Sequence, residues 1–248
     1  MITIKSAREI KLMRQAGRVV AQILQELSGI IKPGITTLEL DRFAESIINK
    51  ARCLPAFKGY HGFPATICAS VNEEVVHGIP GLRRLQDGDI VSIDVGVIYK
   101  GFYGDAAATF PVGNVDKEAL RLMDVTREAL MLSIGQVLKN NHLSDISHAV
   151  QCHVESNGFS VVRNYVGHGI GKEMHEEPAI PNFGKPGHGP VLKQGMVFAI
   201  EPMVNAGDWQ VETLADNWTV VTLDRKWSAH FEHTVAIGEN EPEILTVL

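Results

Sequence analysis

Between Ser6 and Leu27 the chain places Ile10, Met13, Val20, Leu24 and Leu27 at helical spacing, behind a capping box made by Ser6 and Glu9. Pro33-Gly34 closes that helix, and Thr36 with Glu39 forms a second capping box that predicts a helix to about Ala51. The stretch 55–64, PAFKGYHGFP, is interrupted by Gly and Pro and reads as an aromatic loop. β-like runs follow at 66–71, 89–98 and 101–110. After PVGN at 111–114 the pattern restarts. A helix is predicted over roughly 116–138, and Ser144 should cap another that ends near Gly158. Strand-like runs then cover 159–166, 195–204, 217–223 and 229–237. Two helices followed by several strands therefore occur twice, without a residue-level repeat. The order predicts an α+β fold with mostly antiparallel strands, one domain whose halves span about 1–112 and 113–248.

Composition adds little to that outline but removes several functions. At 248 residues, 45% hydrophobic and 21% charged, the chain has the make-up of an ordinary globular protein. Its net charge is −6 with scattered cations, which argues against nucleic acid as the main partner. Cys53, Cys68 and Cys152 are odd in number and lack a C-x-x-C, so neither a disulfide framework nor a cysteine-rich zinc site is expected. The start is charged every few residues, unlike a signal peptide, and no apolar run approaches the ~18–20 residues of a membrane span. A cytoplasmic protein with no DNA or membrane partner is expected. Gly167-His168-Gly169-Ile170-Gly171 lacks the G-x-G-x-x-G spacing and no helix opens behind it, so no dinucleotide site is expected.

The chemistry lies in acids set where acids are costly. Asp94 interrupts the apolar run VSIDVGV, and Asp105 stands just before AAATF. A two-residue turn at Tyr99-Lys100 would set the two carboxylates directly opposite each other, and any other even-length loop would keep them on one face. Such a pair repels and resists burial, and neither strand carries a Lys or Arg. A bound cation is the economical compensation. Glu201 in VFAIEPMV and Glu232 in AHFEHTV are again acids inside strand-like segments, and His168 offers an imidazole between glycines where backbone can approach closely. Four carboxylates and one imidazole match the charge of two divalent ions. A donor set without thiolate favours Mn, Fe, Co or Zn. Two such ions about 3.5–4 Å apart could hold and acidify a bridging water and polarise a carbonyl. His77 and His175 lie beside Gly/Pro-rich turns, and the other seven histidines read as surface or packing residues.

The stretches GYHGFPATICASVNEEVVHGIP, IVSIDVGVIYKGFYGDAAATF, YVGHGIGKEMHEEP, FAIEPMV, TLADNWTVVT and HFEHTVAI resemble, in order, those of the short bacterial-type (type I) methionine aminopeptidases. The resemblance covers about 55–237, with a looser match before it. It implies a pita-bread fold: two related halves around a curved antiparallel sheet, with a dimetal site at the centre. By that resemblance, Asp94 would chelate one metal, Asp105 and Glu232 would bridge both, and His168 and Glu201 would complete the other. Glu201 would shuttle the proton, His175 would bind the scissile carbonyl, and His77 would contact the scissile amide nitrogen. Tyr60, Phe63, Cys68 and Trp218 would form the methionine pocket, joined by Met174 and Phe57. The implied activity removes the N-terminal methionine of peptides and nascent chains before a small second residue, by a monomer in transient contact with the ribosome. Glu201 and Glu232 are only 31 residues apart, which leaves no room for the helical insert of type II enzymes, and the first helix opens without an N-terminal extension. Two rivals remain: an X-Pro-specific peptidase of the same fold, and a non-catalytic peptide-, ribosome- or nucleic-acid-binding member of it.

Overall fold

The computed structural model describes residues 1–248. Both capping boxes form: Ser6 and Glu9 open α1 (Ala7–Ser28), and Thr36 and Glu39 open α2 (Thr37–Lys50). In the second half, α3 spans Lys117–Ile134 and α4 spans Leu143–Ser156. The cap of α4 is His142, not Ser144. Asp145 reaches back to the His142 amide at 2.7 Å, while the Ser144 hydroxyl lies within the first turn and accepts from the His188 amide. α3 stops short of the expected end near 138, at the Gly135 cap.

Two hairpins form the middle of the molecule. In the first, Ile90–Tyr99 pairs antiparallel with Phe102–Pro111 without a break. Its turn is Lys100-Gly101, one residue later than the sequence pattern suggested. Both residues take positive φ, 50° and 79°, as a two-residue hairpin turn requires, and glycine adopts this at little cost. The register therefore sets Asp94 opposite Ala107 and Gly96 opposite Asp105. The two acids are diagonal neighbours on one face rather than a direct pair.

The second hairpin is interrupted. Val197–Ile200 pairs with His233–Ile237, and Met203–Asn205 pairs with Ser228–His230. Ile200 faces His233 and Met203 faces His230, so one register runs through the gap and brings Glu201 opposite Glu232. Glu201 and Glu232 thus lie in the break, not inside strands as expected. Pro202 has no N–H to give the ladder, and the Glu232 amide turns away to the Ala107 carbonyl of the first hairpin at 2.9 Å. The run expected over 159–166 contributes only Ser160–Val161.

Alternation explains the layers. Val91, Ile93, Val95 and Val97 belong to one apolar core with residues of α1 and α2. Phe198, Ile200, Ala229, Phe231, Val235 and Ile237 belong to another with α3 and α4. The alternate positions of both hairpins face the inner side of the sheet. With helices segregated to the outside of curved antiparallel strands, this is the pita-bread α+β architecture. No helix is long and apolar enough to cross a membrane.

The hairpins meet along a seam stitched mainly by threonine. The Asp105 amide donates to Thr234 Oγ1, which donates back to the Asp105 carbonyl, at 3.0 and 2.8 Å. Thr109 Oγ1 serves the His230 amide and carbonyl in the same way, at 3.0 and 2.9 Å. Between them runs the single backbone bond from Glu232 to Ala107. Hydroxyls standing where direct amide–carbonyl bonds would otherwise close the ladder hold the two edges apart.

Candidate active site

Register across both hairpins and the seam sorts the inner face into three rows. One runs Cys68, Asp94, Ala107, Glu232, Glu201. Beside it runs Gly96, Asp105, Thr234, Ala199, His168. On the other flank lie Ser70, Ser92, Thr109, His230, Met203. The five expected ligands occupy two adjacent rows, which is why residues as distant in sequence as Asp94 and Glu232 share one centre. Donor atoms of Asp105, His168 and Glu232 lie within 4.8 Å of one another. His168 Nε2 is 3.5 Å from Glu201 Oε1.

The His168 ring is oriented by the adjacent backbone. Its Nδ1 donates to the Gly169 carbonyl at 2.9 Å, which leaves the Nε2 lone pair directed at the carboxylates. The flanking glycines are required by close backbone: a Cβ on Gly167 would stand 2.5 Å from the Ala199 carbonyl oxygen, and one on Gly169 2.2 Å from that of Glu177.

The electrostatics show what the cluster lacks. Asp94 Oδ1, Asp105 Oδ1 and Glu232 Oε1 are buried without a hydrogen-bond partner. No Lys or Arg lines the cavity. Burial lifts the Asp105 carboxyl to about 7. Burial, reinforced by the Asp105 charge, holds Asp94, Glu201 and Glu232 well above the usual carboxylate range. Burial also drives His77 and His168 down to about 4, so both imidazoles are neutral at pH 7. Orphaned carboxylate oxygens, a neutral imidazole with its lone pair turned inward, and no protein cation are the donor set of a divalent metal.

Above this base opens a cavity of about 240 Å³. Tyr60, Phe63, Cys68 and Trp218 line it as expected, and so do Phe57 and Met174. Phe63 meets Trp218 edge-on at 5.1 Å between ring centroids. His77 and His175 line the same cavity. His77 is held at φ 60°, a left-handed backbone unusual for a side chain of its size, with its ring edge-on to Tyr165 and Trp218. His175 Nδ1 is 2.7 Å from the Tyr60 hydroxyl, and its ring lies 4.3 Å from that of His168. The ligands, the two histidines and the pocket residues expected from sequence all meet at this one place.

Two of the seven histidines read as surface or packing residues also adjoin the site, one exposed and one buried. His61 lines the cavity mouth against Tyr60. His230 is buried on the flanking row, its Nε2 3.7 Å from Glu201 Oε2. The available signal is the spacing His230-x-Glu232, which puts both side chains on one strand face.

The model of the metallopeptidase family M24 matches residues 11–239. The chain belongs to this family. Within M24 it stands with the methionine aminopeptidases. It is 56% identical over 248 residues to the methionine aminopeptidase of Clostridium perfringens, covering 100% of each chain. It is also 56% identical over 246 residues to methionine aminopeptidase 1 of Bacillus subtilis, covering 99% of each. The crystal structure of the Thermotoga maritima methionine aminopeptidase superposes with a TM-score of 0.99 at 51% identity, over 100% of both chains. Prolidase from Pyrococcus furiosus shares the M24 fold at a TM-score of 0.81 and 22% identity, this chain covering 65% of that one. The metal-donor chemistry described above is thus that of a metallopeptidase enzyme.

Proposed function

We propose that this enzyme removes the N-terminal methionine from peptides and nascent proteins, with a preference for a small second residue. The observation that carries the reading is the juxtaposition of a partnerless buried carboxylate cluster with a cavity walled by Phe57, Tyr60, Phe63, Met174 and Trp218. A thioether side chain packs well against aromatic rings and another thioether. The two halves, 1–112 and 113–248, act as one catalytic domain because each supplies ligands. The setting is the cytoplasm, the acting form a monomer, and ribosome contact transient.

Asp94, Asp105, His168, Glu201 and Glu232 would hold two divalent cations, of Mn, Fe, Co or Zn; these supply Lewis acidity and lower the pKa of water at neutral pH. The chain's own groups do the rest. Glu201 takes the proton of the water that attacks the scissile carbonyl and delivers it to the departing amine. The Tyr60 hydroxyl donates to His175 Nδ1, which leaves His175 Nε2–H to donate to the scissile carbonyl oxygen as negative charge develops there. His77, neutral and fixed by its backbone and two aromatic edges, contacts the scissile amide nitrogen. Trp218 and Phe63 exclude water from the methionine side chain.

The test offers Met-Ala-Ser and Ala-Pro-Ser peptides to the enzyme before and after chelation. Methionine release that disappears with the metal and returns with Mn²⁺ or Co²⁺ is expected, with Ala-Pro-Ser left intact. Cleavage of the X-Pro peptide alone would assign the X-Pro-specific reading instead, and metal-independent binding without turnover would assign a non-catalytic role.

A further inference from the structure

Glu201 is asked to do two things that a symmetric carboxylate does poorly together: hold an ion and move a proton. The structure distinguishes its two oxygens. Oε1 lies 3.5 Å from His168 Nε2, and that nitrogen is an acceptor because Nδ1 carries the hydrogen given to Gly169. With the carboxylate ionised, as cation binding requires, these are two acceptors facing each other, and they mark the cation side of Glu201. Oε2 lies 3.7 Å from His230 Nε2. That nitrogen is buried and has no partner, in a side chain only 2% exposed. A leucine or methionine would fill such a volume without leaving a polar atom orphaned, so packing alone gives no reason for an imidazole there. The backbone fixes where the ring points. Thr109 Oγ1 binds both the amide and the carbonyl of His230, Met203 pairs opposite, and His230 shares its strand face with Glu232.

We propose that His230 is the positioning residue of Glu201. Its neutral Nε2–H donates to Oε2 once the carboxylate turns the short distance that separates them. This fixes the carboxylate plane, keeps Oε1 facing His168, where a cation would be held, and leaves the free lone pair of Oε2 for the proton in transit. The inference rests on the function proposed above and names a group which that reading does not use.

The experiment compares metal-loaded wild type with H230Q, H230N, H230L and H230M, measuring kcat and KM on Met-Ala-Ser, Tm, and the nitrogen coupling of the Mn²⁺-loaded forms by electron spin-echo spectroscopy. Glutamine can place an N–H donor at similar reach and should keep kcat within about 5-fold, whereas the apolar variants should lose about 10–100-fold, the range for groups that orient a ligand. KM should move less than about 3-fold throughout, since His230 does not touch substrate. Tm should hold or rise in the leucine variant, a result that a purely structural histidine would not combine with lost turnover. If leucine and methionine impair folding, H230N carries the comparison: its amide is too short to reach Glu201 and should lose kcat like the apolar pair. Turnover in H230L, H230M or H230N close to wild type would overturn the proposal, as would an H230Q as impaired as they are. Loss of a metal-bound nitrogen in H230Q would overturn it in favour of direct ligation. A wild type without metal-dependent methionine release would sink the proposed function itself, which is a distinguishable failure.

Discussion

The two central hairpins place their acids by opposite means. In the first, the ladder from Ile90 to Pro111 is continuous. Asp94 and Asp105 are tolerated within it because their neighbours on the helix side, Ile93, Val95 and Ala106, are fully buried in the core shared with α1 and α2. In the second, Pro202 breaks the ladder, and Glu201 and Glu232 occupy the break. A continuous strand fixes direction but leaves its backbone saturated. A broken one frees an amide, and here the Glu232 amide becomes the only backbone bond across the seam. The rigid hairpin thus supplies the reference frame, and the broken one is drawn onto it.

The sharpest way to break this arrangement is Asp105→Asn. It removes a charge from the frame without altering shape, and activity should fall by at least about 10³-fold, about 4 kcal/mol of transition-state stabilisation, while circular dichroism stays native. Near-normal turnover would refute the metal assignment for Asp105. Thr234→Val attacks the seam itself. The isosteric change strands the amide and carbonyl of Asp105, so urea unfolding should report a loss of about 2–6 kcal/mol, from about 1–3 kcal/mol for each buried group left unpaired. An unchanged midpoint would mean that the seam is held by packing alone.

Proton linkage tests the frame without mutation. In the metal-free protein, the Asp105 carboxyl sits at about 7 against an ordinary value of 3.8, so the folded state binds a proton more tightly than the unfolded chain does. That stability is fully present below pH ~4 and is lost as pH rises through about 7. Metal-free Tm should therefore decline across this window from this group, and the Tm gain on adding Mn²⁺ should grow, because the ion needs the deprotonated form. A metal-induced gain that is flat with pH would contradict it. The smallest effect belongs to the turn. Gly101 has open space where a Cβ would stand, so Gly101→Ala is opposed only by its φ of 79° and should cost about 1 kcal/mol with kcat unchanged.

Much of this is legible in the chain. Ser6-x-x-Glu9 and Thr36-x-x-Glu39 announce two helix starts because capping chemistry is local. The acids in apolar runs announce the centre because burying a carboxylate demands a partner. The hairpin turn lies one residue beyond its expected place, although Lys100-Gly101 carries the better signal, a glycine at the second turn position. The breaks at Glu201 and Glu232 look like strand interiors because hydropathy ignores the missing N–H of Pro202. His230 is hidden for a different reason: an imidazole shows its meaning only when its nitrogen is seen without a partner and its neighbour across the strand is known. The threonine seam joins residues 121 and 129 positions apart, and no local pattern encodes it.

That seam also bears on how the protein is made. Residues 20–112 hold a hydrophobic core of their own, so a chain emerging N-terminus first can close it while the second hairpin is still unsynthesised. Asp105 then waits on a finished edge, with Asp94 on the strand behind it. Their partners arrive only when Thr234 and Glu232 dock against that edge, late in synthesis and over long loops. Capture of the ion is thus a natural end-point of folding, and the rate at which metal is taken up during refolding is a clock for the final docking step.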